Sequence, residues 1–369
     1  MRKLAIVGAG QAGCLTALHF YKWAHSIDDI TIYHDPDTPM EETGQGTTLS
    51  VPELLTHTLG INLIDNNPIK ATIKSGLLYE GWSHGDPISS PFTGSGLGYH
   101  YIPKLLSEVV LNSGKFKVET KKIVDPESEI DSDWIFDCRG RLHNNLETSN
   151  ELVNPLNSVL LSNVPEVDPK LNYTRCVATP NGWTFVIPNF DSTSYGYLYN
   201  KDITTKEDAT VDFKERFGVD TVKNLEFRNY MESSIWHGER TVLNGNRFCF
   251  LEPLEATSTD SYLSVARHAF DHIVGSESKD NVNFGVQRLM RQNEKFILSH
   301  YWSNSIYDTP FWEYAKNLNS QFLNKEFEDY ISMVVNKTDI ELYTETHPSW
   351  GSFGPENIKR WYTLSHKYA

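Results

Sequence analysis

Three short constellations in this chain carry residue types that could do chemistry. The first is Gly8, Gly10 and Gly13 in KLAIVGAGQAG, a GxGxxG spacing. In such a spacing the first glycine permits a tight turn, the second lets a pyrophosphate reach the backbone, and the third lets a helix pack closely on the strand before it. The second is Lys74 in ATIKSGLLYEGW. Alternation along a strand puts Thr72, Lys74, Gly76 and Leu78 on one face and Ile73, Ser75, Leu77 and Tyr79 on the other. An amino group between such small neighbours has room for a ligand above it, a solvated edge lysine being the plainer alternative. The third is Glu255 in FLEPLEATSTDSYL, a carboxylate just before a helix start capped by Thr257 or Ser258. It can accept a proton there, or merely face the positive end of the helix dipole.

The elements that must hold these residues are legible around them. Leu4 to Val7 form an apolar strand, and Cys14, Ala17, Leu18 and Tyr21 follow at helical spacing as one apolar face. The unpaired N–H groups at that helix start suit a dinucleotide phosphate. The next strand, ITIYHDPD, ends in His34 and Asp35; Asp35 is the expected ribose ligand, a solvated turn acid the alternative. SVPELLTHTLG reads as a helix with a Ser50 and Glu53 capping box, stopped by Gly60. The glycine-rich stretches ETGQGTTLS and SSPFTGSGLGYHY read as loops, the second beside a cleft and followed by a helix from Pro103 to Gly114. KFKVETKKIV and DWIFDCRGR are strands, the latter ending in Asp137, Cys138, Arg139 and Gly140, where an open α/β sheet meets its cofactor. Gly182 to Asn200 is an aromatic hairpin. After the strand Phe248 to Leu251, a helix buries Tyr262, Val265, Ala266 and Ala269, and beyond Gly275 the pattern is mostly helical.

Composition narrows the partners. In 369 residues, 48 acidic against 33 basic side chains leave a net charge of -15, which disfavours nucleic acid and anionic membranes and favours a small-molecule partner. No apolar run is long enough to span a bilayer, and the apolar N-terminus is accounted for by the first strand, so a soluble, cytoplasmic protein is expected. Cys14, Cys138, Cys176 and Cys249 lack the paired spacings of zinc sites or disulfide frameworks and read as buried thiols. His268 and His272 stand four apart without the glutamate of a zinc-protease motif, so no metal is expected.

In this order the pieces resemble the flavin-dependent halogenases, tryptophan halogenase-like proteins, along nearly the whole chain. The family pattern runs GxGxxG, a lysine strand, DCSG, GWxWxIP, PLEST or PLEAT, and HYxxxxRxDTxFW. Here it reads GAGQAG from Gly8, ATIKSGLLYEGW from Ala71, DCRG from Asp137, GWTFVIP from Gly182, PLEATS from Pro253 and HYWSNSIYDTPFW from His300. The resemblance implies FAD, used as FADH2, with oxygen and a halide ion (chloride, bromide or iodide), and a separate flavin reductase. It implies that Lys74 directs the hypohalous acid so formed, with Glu255 as its catalytic partner, and that Lys70, four residues earlier, lies outside the motif. It places halide at Thr257 and Ser258, and cofactor contacts at Gly8, Gly10, Gln11, Ala12, Gly13, Asp35, Gly46 and Leu254. The substrate implied is an electron-rich aromatic or similar small organic molecule.

The expected fold class is α/β: a Rossmann-like FAD lobe of the single-component flavin monooxygenase type, an interleaved mixed β-sheet substrate region and a helical C-terminal part. Residues 1–369 are expected as one interwoven unit, with FAD-binding segments 1–60, 95–142 and 240–275, substrate-sheet segments 61–94 and 155–239, and helices over 281–369. The chain departs from the pattern at Phe185 (for a second tryptophan), Gln45 in TGQGT (for a glutamate), Ser258 (for a glycine) and Arg139 (for a small residue). The stretch after Trp312 is short for enzymes acting on free tryptophan, as in a compact member of the kind a phage could encode. A homo-oligomer is compatible with this reading. The competing readings are a flavin monooxygenase or reductase on the same scaffold, which would not need Lys74 with Glu255, and a non-catalytic flavin-binding protein.

Overall fold

The computed structural model describes residues 2–47, 49–92, 97–141, 149–167, 170, 172–303 and 305–365. Among them the chain divides into two compact units, each gathered from three stretches. The first holds 1–73, 96–151 and 230–288; the second holds 74–95, 152–229 and 289–369.

The first unit is built on a six-stranded sheet in the order β17 (Trp236–His237), β18 (Thr241–Leu243), β9 (Trp134–Asp137), β1 (Arg2–Val7), β2 (Ile27–His34) and β8 (Lys117–Thr120). Its strands run parallel except at the β17 edge. Parallel strands need covered faces, and their apolar runs show it: Leu4, Ala5, Ile6 and Val7 of β1 are all buried. On one face Ala5, Val7 and Ile135 pack with Ile123 and Ile130 of the connection that runs from β8 back to β9. Two small sheets accompany it, β10 (Ser149–Glu151), β16 (Tyr230–Glu232) and β19 (Cys249–Phe250), and β3 (Gln45–Gly46), β7 (Gly98–Tyr101) and β4 (Thr72–Lys74), whose last residue is counted in the second unit. Its helices are α1 (Gln11–Trp23), α2 (Ser50–Leu59), α3 (Pro103–Leu111), the single turn α4 (Pro126–Glu129) and α6 (Ser258–Ile273).

The second unit carries a mixed seven-stranded sheet in the order β15 (Lys223–Glu226), β11 (Ser158–Val164), β14 (Thr193–Tyr199), β13 (Gly182–Pro188), β12 (Tyr173–Thr179), β5 (Gly76–Glu80) and β6 (Ile88–Pro91). Only the β12 to β5 pairing is parallel. Leu160, Tyr197 and Tyr199 on one face pack against Ala209 and Phe213 of α5 (Lys206–Phe217). Each such aromatic or leucine burial is worth about 1.5–3 kcal/mol. Helices follow as α7 (Lys279–His300), whose residues 279–288 belong to the first unit, α8 (Pro310–Phe322), α9 (Lys325–Val335), α10 (Asp339–Thr344) and α11 (Pro355–Ser365). No described helix is long and apolar enough to cross a membrane.

Several local expectations are corrected. On α1, Cys14, Ala17 and Leu18 are buried but Tyr21 is 43% exposed, because the buried stripe shifts to Phe20 and packs it on Phe136. The Ser50 and Glu53 box does not form: Ser50 is already the first residue of α2, its N-cap is Leu49 in helical conformation with no side-chain capping bond, and Glu53 pairs with Lys22 instead. SSPFTGSGLGYHY contributes β6 and β7, with Tyr99 and Tyr101 buried, and its residues 93–96 lie outside the described residues. Tyr262 is only half-buried on α6, whereas Val265, Ala266 and Ala269 are buried as expected.

Candidate functional site

In the first unit the site grows from the turn after β1, where the three glycines have three different reasons to be glycine. Gly8 has φ 106°, and a Cβ there would lie 2.7 Å from the Cys138 carbonyl oxygen. A Cβ on Gly13 would fall 1.9 Å from the Gly8 carbonyl oxygen, so this glycine lets α1 sit on the turn. Gly10, the N-cap of α1, has φ −71° and open space where a Cβ would stand. Neither backbone nor protein packing requires glycine at Gly10; what it leaves room for is a ligand against the helix start. No acidic residue occupies the first turn of α1 and no side chain caps it, so its partial positive charge is available to an anion.

The other expected cofactor residues take definite places. Gln11 donates through Nε2 to the Tyr101 hydroxyl (2.6 Å), and Tyr101 pairs with Gln45, next to Gly46 opposite His100. That ties the Gly46 strand to the start of α1. Ala12 abuts Gly245, whose added Cβ would lie 2.6 Å from the Ala12 Cβ. Asp35 stands just past β2, its carboxylate accepting from the Asp37 N–H (3.0 Å) and the Thr38 hydroxyl (3.2 Å), so it also organises its own turn. Cys14 and Cys138 are buried beside the glycine turn; burial pushes the Cys14 thiol up to about 12 against a weaker opposite effect of Ser107, and burial beside the Asp137 charge raises Cys138 as well. Both are protonated at neutral pH. All four cysteines are buried thiols outside any disulfide.

At the β9 end Asp137 is buried. Desolvation opposes its charge, yet the hydrogen bonds and charge of Arg139, with the charge of Arg247, hold the carboxyl below the usual range. Asn244 is a residue that spacing alone did not mark. Fully buried, it donates its backbone N–H to the Asp137 carbonyl (3.0 Å) and its side-chain amide to the Thr16 hydroxyl (2.9 Å) and the Tyr262 carbonyl (3.0 Å), joining β9, α1 and α6.

The PLEATS segment lies in the same unit. Leu254 is fully buried and Glu255 half-buried. Ala256 has φ 52°, a left-handed conformation that costs a non-glycine residue about 1–2 kcal/mol and bends the chain sharply into α6. Thr257 is the N-cap, buried, with no capping bond from its side chain. Ser258 opens α6 half-buried, and one turn on the Tyr262 hydroxyl donates to Asn246 Oδ1 (3.0 Å). Strained backbone, an uncapped helix start and an adjacent carboxylate form a site able to hold a small anion beside a proton acceptor.

Lys74 belongs to the second unit. It is the last residue of β4, is 0% exposed, and its Nζ stands 5.4 Å from the Phe92 ring centroid. The single strand expected through Tyr79 is two: Ser75 breaks it, with its N–H donated to the Asn172 carbonyl and its own carbonyl accepting from Phe92. Gly76 follows with φ 154°, pressed so close to Ser90 that a Cβ would meet its carbonyl oxygen at 2.2 Å. The break reverses side-chain parity, so Lys74, Leu77 and Tyr79 are all buried while Ile73 is exposed. Lys70, by contrast, is exposed in a turn with φ 47°. The remaining motifs of this unit meet as an aromatic body. Trp312 donates to the Thr179 carbonyl (2.8 Å) and Trp82 to the Cys176 carbonyl (2.9 Å), while the His300 ring lies 4.1 Å from that of Trp361. Phe185 covers Gly196 of the paired strand, which explains the departure there: a Cβ on Gly196 would stand 2.1 Å from the ring.

His268 and His272 bond to backbone carbonyls of Ser264 and Glu277, and no described group of side chains could hold a metal ion.

A sequence model of the tryptophan halogenase family matches residues 3–107 and 104–353. The chain is 29% identical over 174 residues to tryptophan 6-halogenase ThaL of Streptomyces albogriseolus, a match covering 44% of this chain and 32% of that protein. It is 26% identical over 256 residues to tryptophan 7-halogenase RebH of Lentzea aerocolonigenes, covering 63% of this chain and 47% of that one. These matches thus span a third to a half of the relatives' lengths. Xcc4156, a flavin-dependent halogenase from Xanthomonas campestris, shares the fold with a TM-score of 0.83 at 17% identity over 100% of this chain and 89% of that one. With the family model running over nearly its whole length, this chain belongs to the tryptophan halogenase family.

Proposed function

We propose that this protein halogenates an electron-rich aromatic or similar small organic substrate, using FADH2, oxygen and a halide ion, with a separate flavin reductase supplying the reduced cofactor. FADH2, O2, halide and one proton give FAD, water and hypohalous acid; the acid then replaces an aromatic hydrogen by halogen, releasing water. The residues fit the cofactor: the open space at Gly10, the acid-free start of α1 and the tie from Gln11 to the Gly46 strand leave a bed for a dinucleotide. When bound, the flavin supplies the two electrons and the oxygen activation. The chain's own residues bind, direct and accept protons.

The observation that carries this reading is the burial of Lys74. Strand lysines are ordinarily solvated, whereas this one is enclosed beside the Phe92 ring at the end of β4. As an ammonium Lys74 would hydrogen-bond hypohalous acid, and as an amine it would take up the halogen and pass it on; either confines an otherwise indiscriminate oxidant. Glu255 would accept the proton leaving the halogenated ring. Thr257 and Ser258 offer backbone N–H groups to the halide at the uncapped start of α6.

The test supplies FAD, a reductase with NADH, oxygen and each halide, and reads halogen incorporation over an aromatic panel by mass spectrometry. Lys74→Met should still bind and reoxidise flavin while product falls by about a hundredfold or more, the scale of losing a catalytic group. Glu255→Gln should slow the same step. Lys70→Ala should be silent. Full halogenation by Lys74→Met would refute the mechanism, and reduction of bound FAD by NADH without a reductase would favour a monooxygenase.

A further inference from the structure

Arg139, the residue that departs from the family's DCSG, uses its whole guanidinium. Nε and Nη2 each donate to the Asp137 carboxylate at 2.8 Å, and Nη1 donates to the carbonyls of Ile123 (2.9 Å) and Val124 (2.8 Å). Asp137 also receives Arg247 Nε (3.2 Å), and Arg247 lies 3.6 Å from Glu232, so the charges on this side are paired. The cluster touches two places. Cys138, between Asp137 and Arg139, presses its carbonyl on Gly8 of the glycine turn. Residues 121–124 continue from β8, and the Lys121 N–H donates to the His34 carbonyl at the end of β2, one residue before Asp35 (3.0 Å). In an open parallel sheet a dinucleotide lies along the carboxyl ends of the strands, its pyrophosphate at the first helix and its adenosine over the second strand. Arg139 therefore fastens the segment beside the β2 end to the turn at the β1 end. Holding two carbonyls and a carboxylate at once calls for a rigid fork of N–H donors, which lysine lacks.

Resting on the FAD reading above, we infer that Arg139 is a positioning residue for the adenosine half of the cofactor, holding residues 121–124 where that half must lie. The test titrates FAD, ADP and FMN into the full chain by calorimetry, for wild type, Arg139→Ala and Arg139→Lys. FAD and ADP should weaken together by about tenfold, the scale of one or two misplaced hydrogen bonds, while FMN, which has no adenosine, binds as in wild type. Arg139→Lys keeps the charge beside Asp137 without the fork, and decides the matter if Arg139→Ala does not fold. FAD affinity within twofold of wild type in the variants, or equal loss of FMN, would overturn the inference and leave the halogenase reading standing. A wild-type chain that binds no FAD would overturn that reading itself.

Discussion

The glycine turn allows a separation of folding from binding by single methyl groups. At Gly13 an added Cβ would stand 1.9 Å from the Gly8 carbonyl oxygen and 3.2 Å from Ile6 Cγ2. Ordinary contact begins near 3.4 Å, so α1 would have to move more than an ångström off the strand it covers. Forcing bulk into such packing costs about 1–3 kcal/mol or more, and Gly13→Ala should melt several degrees below wild type. At Gly10 the same methyl meets nothing within 4 Å and the φ of −71° suits any residue. Exchanging glycine for alanine at an N-cap costs under about 1 kcal/mol, so the melting temperature of the free protein should move by about 3 °C at most. The methyl does, however, fill the space assigned to the cofactor's pyrophosphate. Gly10→Ala should therefore weaken FAD at least about tenfold, or about 1.4 kcal/mol, as read by quenching of flavin fluorescence. Wild-type FAD affinity in Gly10→Ala would refute the assignment of that open space, and an unshifted melt in Gly13→Ala would refute the packing argument.

Two further outcomes follow from other parts of the chain. His19 is buried between Phe20 and Phe270, and burial first, then the charges of Arg267 and Lys22, push it down to about 4. Its unfolded form takes a proton near pH 6.5, so its contribution is intact above that pH and is lost as pH falls from 6.5 towards 4, by about 3 kcal/mol; denaturant unfolding should show the stability of wild type relative to His19→Gln fall by that amount as pH is lowered through the window, and parallel curves would refute it. Gly196→Ala should destabilise by about 1–3 kcal/mol because its methyl meets the Phe185 ring, and the cost should shrink when Phe185 is also made Leu; additive losses by thermal melting would show that the two do not share a contact.

The order of elements was legible in the residues because each rests on local chemistry. GxGxxG after an apolar run dictates strand, turn and helix wherever it occurs; Gly60, with φ 65°, ends α2 because few other residues adopt that conformation cheaply; and the aromatic stretches at Gly182 to Pro188 and Thr193 to Tyr199 pair as a hairpin. What no local pattern contains is which of two chemically equal residues is buried. Lys70 and Lys74 are the same side chain four positions apart, and strand alternation even gives them the same face; but Lys70 stands in a turn with φ 47° before β4 begins and is exposed, while Lys74 ends β4 and is wholly enclosed. Arg139 looked like a substitution in a motif until the carbonyls of Ile123 and Val124, fifteen or so residues away, gave its fork something to hold. The same holds among the three glycines: the spacing announces all of them, but the distance from Gly13 to the Gly8 carbonyl, and the emptiness beside Gly10, exist only once the chain has folded back on itself. Sequence carries backbone preference and periodicity, which act over a few residues; burial, pairing and open space are properties of segments that meet from far apart in the chain.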